Sequence, residues 1–244
     1  MRKFGLIGRT LKHSFSKKYF TDKFGKEGIT NSQYELFELS TIDEFPDLIQ
    51  KKPDLVGLNV TIPYKKEVIP FLDQLDENAA ALQAVNTIKI TKTGLKGFNT
   101  DYVGFKQSLE NWSLYNVTAL ILGTGGASNA VKKVLEDINI QFQMVSRSEG
   151  NDLTYEQLSN HPELVQENRL IINTTPLGTF PDVEESPRLP YNQLGQNHFL
   201  FDLVYNPEVT RFMQHGIKAG ATVQNGYDML VGQAEAAWKI WNSN

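Results

Sequence analysis

The chain contains no cysteine. Disulfides, thiolate nucleophiles and Cys-ligated metal sites are therefore excluded. Histidine is sparse: His13, His161, His198 and His215 show no metal-ligand spacing. Three of them read as surface or packing residues, whereas His13 stands beside Ser14 and Ser16. No G-x-S-x-G elbow, G-x-x-x-x-G-K-S/T loop or H-E-x-x-H pair occurs, which argues against a serine hydrolase, a P-loop NTPase and a zincin. No apolar run approaches the roughly 20 residues of a membrane span. The opening Met1-Arg2-Lys3-Phe4-Gly5 breaks too early for a signal peptide. Positive charge is not in surplus either: 24 basic against 28 acidic side chains leave −4. That weighs against a nucleic-acid partner held by phosphate contacts. The expectation is a soluble cytoplasmic protein with no membrane or nucleic-acid partner, monomeric or homodimeric.

What is present is ordinary in bulk. The 244 residues, 40% of them hydrophobic, suffice for one large domain or two of about 100–150 residues. Strand and helix signals alternate from end to end, the mark of an α/β architecture. In the first half, strands are expected at 4–7, 33–39 and 55–60 and helices at 16–24, 42–50, 64–72 and 77–84. A hairpin is expected from the arms 86–91 and 95–98 around Lys92-Thr93-Gly94. Helical signal resumes from Asp101 to about Asn111.

A second series begins at Val117 to Leu122, a continuous apolar run of the kind that a sheet covered on both faces requires. Ala127, Ala130, Val131, Val134, Leu135 and Ile138 then recur on one helical face. Strands at 142–145, 170–173, 199–204 and 221–223 follow, with a helix at 207–218. A closing helix carries Leu230, Ala234, Ala237, Trp238 and Trp241 on one stripe, with Gln233 at its edge. Pro176 to Pro190, with four prolines and three acids, reads as a long surface loop.

Three segments carry chemistry. In Asn59-Val60-Thr61-Ile62-Pro63-Tyr64-Lys65 an apolar strand ends in small polar side chains and Pro63 stops it. Lys65 is thereby held at a strand's C-terminal edge, where open α/β sheets place ligands. Asn99-Thr100-Asp101 offers a carboxylate in a similar setting. Gly123-Thr124-Gly125-Gly126-Ala127-Ser128 follows a strand and opens a helix. Its glycines let the backbone approach a pyrophosphate, and the helix N-terminus favours that charge. The pattern departs from G-x-G-x-x-G because Ser128 holds the third small position. After the next strand, an NAD site usually places an acid on the ribose. Here Ser146-Arg147-Ser148 stands there, and arginine suits a 2′-phosphate. NADP is therefore favoured over NAD, although Glu149 and Asp152 lie nearby.

These segments, with His13-Ser14-Phe15-Ser16, Ala84-Val85-Asn86-Thr87, Asn173 to Gly178, Asp202 to Pro207 and Asn225-Gly226 through Gln233, resemble the shikimate dehydrogenase family in order and over essentially the whole chain. The resemblance implies reduction of 3-dehydroshikimate with NADPH on the route to chorismate and aromatic amino acids. It implies that Ser14, Ser16 and Tyr205 hold the substrate carboxylate. Thr61, Asn86, Asp101 and Gln233 would bind ring hydroxyls with Asn59 beside them, and Lys65 and Asp101 would be the catalytic pair. The cofactor would lie on Gly123, Thr124, Gly125, Gly126 and Ala127, with Ser146, Arg147 and Ser148 at its adenosine side. Thr174, Leu203 and Gly226 would line the nicotinamide side. Four positions depart from the family's pattern: Lys17 replaces a proline, Ser146 an asparagine, Gly150 a second basic residue and Thr179 a methionine.

The residue types fit that chemistry. Carbonyl reduction delivers hydride to carbon and leaves charge on oxygen, which an ammonium stabilises and protonates. A neighbouring carboxylate favours the charged amine, while desolvation favours the neutral one. The expected architecture is α/β in two domains. Residues 1–100, completed by helix 228–244, would form the substrate domain. Residues 101–227 would form a Rossmann-like dinucleotide-binding domain with a mainly parallel sheet. Closure on binding is expected of such a pair. Two rival readings share the fold: an enzyme acting on quinate or with NAD, and a non-catalytic small-molecule sensor. A sensor has no use for Lys65 and Asp101, and both are present.

Overall fold

The computed structural model describes residues 1–12 and 14–243. His13, singled out above, lies outside the described residues. The chain divides into two compact units, one formed by Met1–Val103 with Gly232–Asn244 and the other by Gly104–Val231.

The first unit runs β1 (Arg2–Gly8), α1 (Phe15–Lys26), β2 (Ser32–Glu38), α2 (Phe45–Lys51), β3 (Leu55–Val60), α3 (Tyr64–Glu67), β4 (Gln74–Leu75), α4 (Glu77–Leu82), β5 (Thr87–Thr91) and β6 (Gly94–Phe98). Helix α5 (Thr100–Ser108) follows, and the division between the units falls within it. The sheet order is β2-β1-β3-β5-β6-β4. β1 lies parallel to β2 and β3, while β5 is antiparallel to β3 and β6. The chain leaves β1 toward β2 and later returns to β1's other side as β3. The loops after β1 and β3 therefore diverge at one point of the C-terminal edge, where a ligand crevice is expected.

Both faces of this sheet are covered. On one, Ile7, Leu58, Val60 and Ile88 pack with Phe45 and Tyr64. On the other, Phe4 and Leu6 pack with Phe20, Phe24, Tyr34, Ala234, Ala237 and Trp241. Phe4, Leu6 and Ile7 show the two-residue period that sends alternate side chains to opposite faces. Phe20 and Phe24 are one turn apart on α1, so both point inward. Phe20 stacks on Tyr34 with centroids 4.7 Å apart, and Phe4 on Trp241 at 4.9 Å.

The second unit runs β7 (Ala119–Leu122), α6 (Gly126–Asp137), β8 (Phe142–Ser146), β9 (Leu153–Thr154), α7 (Tyr155–Asn160), α8 (Glu163–Glu167), β10 (Leu170–Asn173), β11 (Phe199–Asp202), α9 (Arg211–Lys218) and β12 (Thr222–Asn225). Helix α10 (Tyr227–Asn242) then leads back into the first unit. The sheet order is β12-β11-β10-β7-β8-β9, parallel throughout. β7 and β10 flank its switch point, so the turns after Leu122 and Asn173 are neighbours at the carboxyl edge. Four central strands are buried, β7 and β10 entirely and β8 and β11 over their last three residues, and all of those residues are apolar except the closing Asn173, Ser146 and Asp202. That is the signature of a parallel sheet covered on both sides.

The architecture is the expected one, and the differences are local. The helix expected over 64–72 breaks after Glu67 and resumes as a single 3₁₀ turn, Ile69–Phe71. Pro70 lacks the N–H that a continuous helix would need there. The helix expected from Pro207 begins only at Arg211, where the Thr210 hydroxyl accepts from Met213 N–H at 3.3 Å. α7 and α8 went unforeseen, although Thr154 and Gln157 form a capping box that the sequence spells out.

Gly57 in β3 matters for packing. A Cβ there would run into the Trp241 indole, whose N–H donates to Ile88 O at 3.0 Å. Gly57→Ala is expected to destabilise the protein by about 1–3 kcal/mol through overpacking. The loss should appear in the denaturant midpoint of unfolding, and an unchanged midpoint would show that the indole moves aside freely.

Candidate active site

The strand-end segment is anchored before it reaches its lysine. Thr61 N–H donates to Ile7 O at 2.9 Å, keeping the chain beside β1. Tyr64 is fully buried, and its hydroxyl donates to Leu39 O at 2.6 Å. Lys65 O in turn accepts from Val85 N–H at 2.7 Å. With the main chain pinned on both sides, Lys65 Nζ donates to Asp101 Oδ2 at 2.6 Å. The two side chains keep 32% and 22% of their surface exposed, so solvent and a small ligand can reach them. Asp101 lies in the first turn of α5, where the helix dipole favours a carboxylate.

A buried polar network stands behind this pair. Asn86 Oδ1 accepts from Thr100 N–H at 2.7 Å and from Thr100 Oγ1 at 3.1 Å. A backbone N–H can only donate, so this contact fixes which end of the amide is oxygen. The Asn86 NH₂ is then left as a donor. Asn59 is buried too, and its NH₂ donates to Asn86 O at 3.3 Å and Thr87 Oγ1 at 3.1 Å. Its Oδ1 accepts from Tyr34 OH at 2.7 Å. Asn59 thus spends both amide protons inside the protein, and its side chain supports Asn86. Burial pushes the Tyr34 phenol far up, which keeps it a neutral donor; Ser16 is its hydrogen-bonding neighbour. Tyr34 was missed from sequence, and Thr87 and Thr100, although they stand in two of the sequence motifs, were given no role. Their signal was weak: polar side chains within or beside strands whose neighbours are buried.

The other substrate-side residues divide between the units. Ser14, not Ser16, caps α1: its Oγ accepts from Lys17 N–H at 3.2 Å. Ser16 occupies the first turn of that helix. Thr61 follows the last residue of β3, and Gln233 is largely buried on α10. Tyr205 belongs to the second unit and lies in the loop after β11, 37% exposed.

The cofactor candidates cluster on the second unit's carboxyl edge. Gly123 has φ +101°, and a Cβ there would sit 2.8 Å from Thr175 Cγ2 and 3.0 Å from Thr174 Oγ1. Thr174 Oγ1 donates to Leu122 O at 2.7 Å, locking the two turns together. Gly125 and Gly126 face open space among the described residues. No side chain caps α6 at Gly125, so its leading N–H groups are available to an anion. Ser128 is buried and its hydroxyl donates to Gly125 O at 2.7 Å, closing the turn. These observations fit a dinucleotide's pyrophosphate.

Arg147 and Ser148 are exposed beyond the end of β8. The Ser146 hydroxyl is buried and bonded to Ser148 O, so Ser146 shapes this turn rather than facing a ligand. Asp152 accepts from Met144 N–H at 2.7 Å, which commits one oxygen of that acid to the sheet. Tyr155, pushed up to about 12 chiefly by burial, senses the Arg147 charge.

The remaining histidines hold structure. His198 is buried with Nε2 3.0 Å from Val165 O, His161 meets Glu163 at 3.2 Å, and His215 stacks on Tyr191. Among the described residues no cluster of three or more His, Cys, Asp or Glu could hold a metal ion. No helix there is long and apolar enough to cross a membrane.

Comparison with known proteins agrees with this geometry. The family profile described as the shikimate dehydrogenase substrate binding domain matches residues 6–88. The NADP(+) shikimate dehydrogenase of Caldicellulosiruptor saccharolyticus is 36% identical over 262 aligned residues, covering 99% of this chain and 92% of that one. The crystal structure of a chorismate mutase/shikimate 5-dehydrogenase fusion protein from Clostridium acetobutylicum superposes with TM-score 0.87 at 35% identity, covering 99% of this chain and 91% of that one. The enzyme from Thermus thermophilus, solved in complex with NADP(H) and shikimate, gives 0.85 at 28% identity, covering 99% and 94%. Similarity at this level covers both units: the chain belongs to the shikimate dehydrogenase family of oxidoreductases.

Proposed function

We propose that this protein catalyses the reversible NADPH-dependent reduction of 3-dehydroshikimate to shikimate. The carrying observation is the Lys65–Asp101 contact of 2.6 Å, set beside an asparagine amide whose polarity is fixed. The first unit, with α10 completing it, would bind the substrate, and the second the cofactor.

NADPH, when bound, supplies the hydride that goes to the carbonyl carbon. Lys65 meets the charge that grows on the oxygen and gives it a proton, so the C=O double bond becomes C–OH. In the reverse direction the neutral amine takes that proton back. Asp101 holds the amine in place through Oδ2, while its second oxygen can accept from a ring hydroxyl. Asn86 contributes its NH₂ as a donor, because its oxygen is spent on Thr100. Thr61 and Gln233 complete the ring contacts, and Asn59 acts through Asn86. Ser14 uses its oxygen to cap α1, which leaves its proton for a substrate carboxylate, and Ser16 stands two residues on in the first turn.

For the cofactor, the α6 N-terminus and the exposed Thr124 to Ala127 backbone would take the pyrophosphate. Arg147 and Ser148 would take the 2′-phosphate, with no acid in the position that would favour an unphosphorylated ribose. Thr174, Leu203 and Gly226 would flank the nicotinamide. The Thermus thermophilus relative solved with NADP(H) and shikimate supports this pairing.

Nucleotide reduction measured with shikimate or quinate, each with NADP or NAD, tests the reading. Turnover is expected with shikimate and NADP. Preference for quinate or NAD would move the protein to the broader-specificity branch, and no turnover by folded protein would sink the assignment. Lys65→Ala should lower turnover roughly 10²–10⁴-fold, the range of a general acid–base contribution. Its melting temperature should stay near wild type, since a partly exposed ion pair contributes little stability. Arg147→Ser should raise KM for NADP about tenfold or more, as loss of charge-assisted bonds implies, and leave KM for NAD nearly unchanged. Equal shifts for both cofactors would refute the 2′-phosphate role.

A further inference from the structure

One buried titratable side chain is unused by the proposed reaction. Asp202 ends β11, has no exposed surface, and pairs across the ladder with Asn173 at the end of β10. Three donors converge on its carboxylate: Asn173 NH₂ at 2.9 Å, Val204 N–H at 3.0 Å and Thr210 Oγ1 at 2.5 Å. Two of these cannot turn round. Val204 N–H only donates, and Asn173 must direct its oxygen elsewhere, because Thr175 N–H donates to that oxygen at 3.0 Å.

From this carboxylate the bonds run outward along two arms. Along the first, Asn173 Oδ1 also accepts from Thr175 Oγ1 at 2.6 Å, and Thr175 Oγ1 accepts from Leu177 N–H at 3.3 Å. Thr175 Cγ2 then fills the space over Gly123. Along the second, Val204 O accepts from Gly226 N–H at 3.2 Å, and Gly226 lies so close to Leu203 O that a Cβ would collide with it. Thr174, Leu203 and Gly226, the three nicotinamide-side candidates, are each adjacent to a residue on these arms.

We propose that Asp202 is the positioning residue of the cofactor site: by accepting from Asn173, Val204 and Thr210, its carboxylate sets the turns after β10 and β11 in the arrangement that receives NADP. This rests on the reading of the second unit as the cofactor-binding one. An acceptor is required at Oδ1, because both groups that reach that oxygen, Asn173 NH₂ and Val204 N–H, can only donate to it.

The energetics agree. Burial pushes the Asp202 carboxyl from 3.8 up to about 6, against the pull of its three hydrogen bonds. A raised carboxyl favours the fold below its free value, and that advantage is lost as pH rises through about 6. The fold therefore carries the charged form at a cost to stability, which argues for a role in placement. Among neighbouring titratable groups, Tyr191 senses the Asp202 charge, and burial holds that phenol neutral. On α9, Arg211 is turned to Gln214 and His215 stacks on Tyr191.

Calorimetric titration of NADP into the full-length wild-type and Asp202→Asn proteins tests the proposal. The amide keeps the shape and an oxygen for Asn173 and Val204, but it removes the charge and turns an NH₂ toward the Thr210 hydroxyl, which must then accept. NADP affinity is expected to fall about tenfold or more, the scale of a lost bond to a charged acceptor, while the melting temperature holds or rises. The ratio of the two affinities should approach one as pH falls below about 6, where Asp202 is protonated; taking the ratio cancels titration of the cofactor's own phosphate. Thr210→Val removes one donor and keeps the charge. It should shift affinity in the same direction by a smaller factor, which keeps the proposal testable should Asp202→Asn not fold. Equal NADP affinity in all folded variants would overturn the proposal and leave the cofactor reading standing. Failure of the wild type to bind NADP would remove both.

Discussion

The main-chain carbonyl of Asn86 fixes the direction of the polar contacts around the lysine–carboxylate pair. It accepts from Val60 N–H at 2.9 Å within the sheet and from the Asn59 side chain at 3.3 Å. A carbonyl cannot donate, so Asn59 must turn its NH₂ toward it and its oxygen toward Tyr34. Tyr34 must then donate. On the other side, Thr100 N–H fixes the Asn86 amide in the same way. Hydrogen positions follow here from groups with a single possible role rather than from a choice among amide flips. The consequence for chemistry is that Asn86 presents a donor, and that Asp101, one residue beyond Thr100, starts α5 from a backbone that cannot slip.

The two units solve the same problem with the same device. Each has a switch point at its carboxyl edge, and each must hold polar loops there without exposing its core to water. In the first unit a neutral asparagine pair does this under a lysine and a carboxylate. In the second, the buried Asp202 does it with Asn173. A buried charge is costlier than a buried amide, but it can satisfy three donors at once. Asn59, with its single acceptor oxygen, serves only Tyr34 on that side.

How much of this was legible in the sequence follows from the distance over which each feature is determined. The glycine turn, Arg147 and the strand-end lysine are local: a few consecutive residues specify them, and they stand where expected. The α/β alternation was equally plain, because periodicity is local. Asn59 and Ser146 were read toward the ligand, and the structure turns both inward. A polar residue at a strand end can face either way, and its direction is set by partners that sequence does not place. Tyr34, at 25 residues from Asn59, became visible only when β2 paired beside β1. Short elements failed for a different reason. α7 and α8, of six and five residues, are too short to show a hydrophobic period, and only α7 has a capping box to announce it.

Stability and chemistry are carried by different atoms in the first unit. The hydrophobic clusters on the two sheet faces bury whole aromatic side chains, each contributing on the order of 1.5–3 kcal/mol. The Lys65–Asp101 pair is partly solvated, and such pairs contribute about 0–1 kcal/mol. A contact so weak cannot hold its own geometry. It is held instead by Tyr64, locked in the core and bonded to Leu39 O, and by Val85 N–H on the Lys65 carbonyl. The side chains above those anchors stay partly exposed, while the anchors beneath them are buried. The proposed reaction makes use of this separation: the side chain offered as proton donor sits on a main chain that the core, not the ion pair, holds in place.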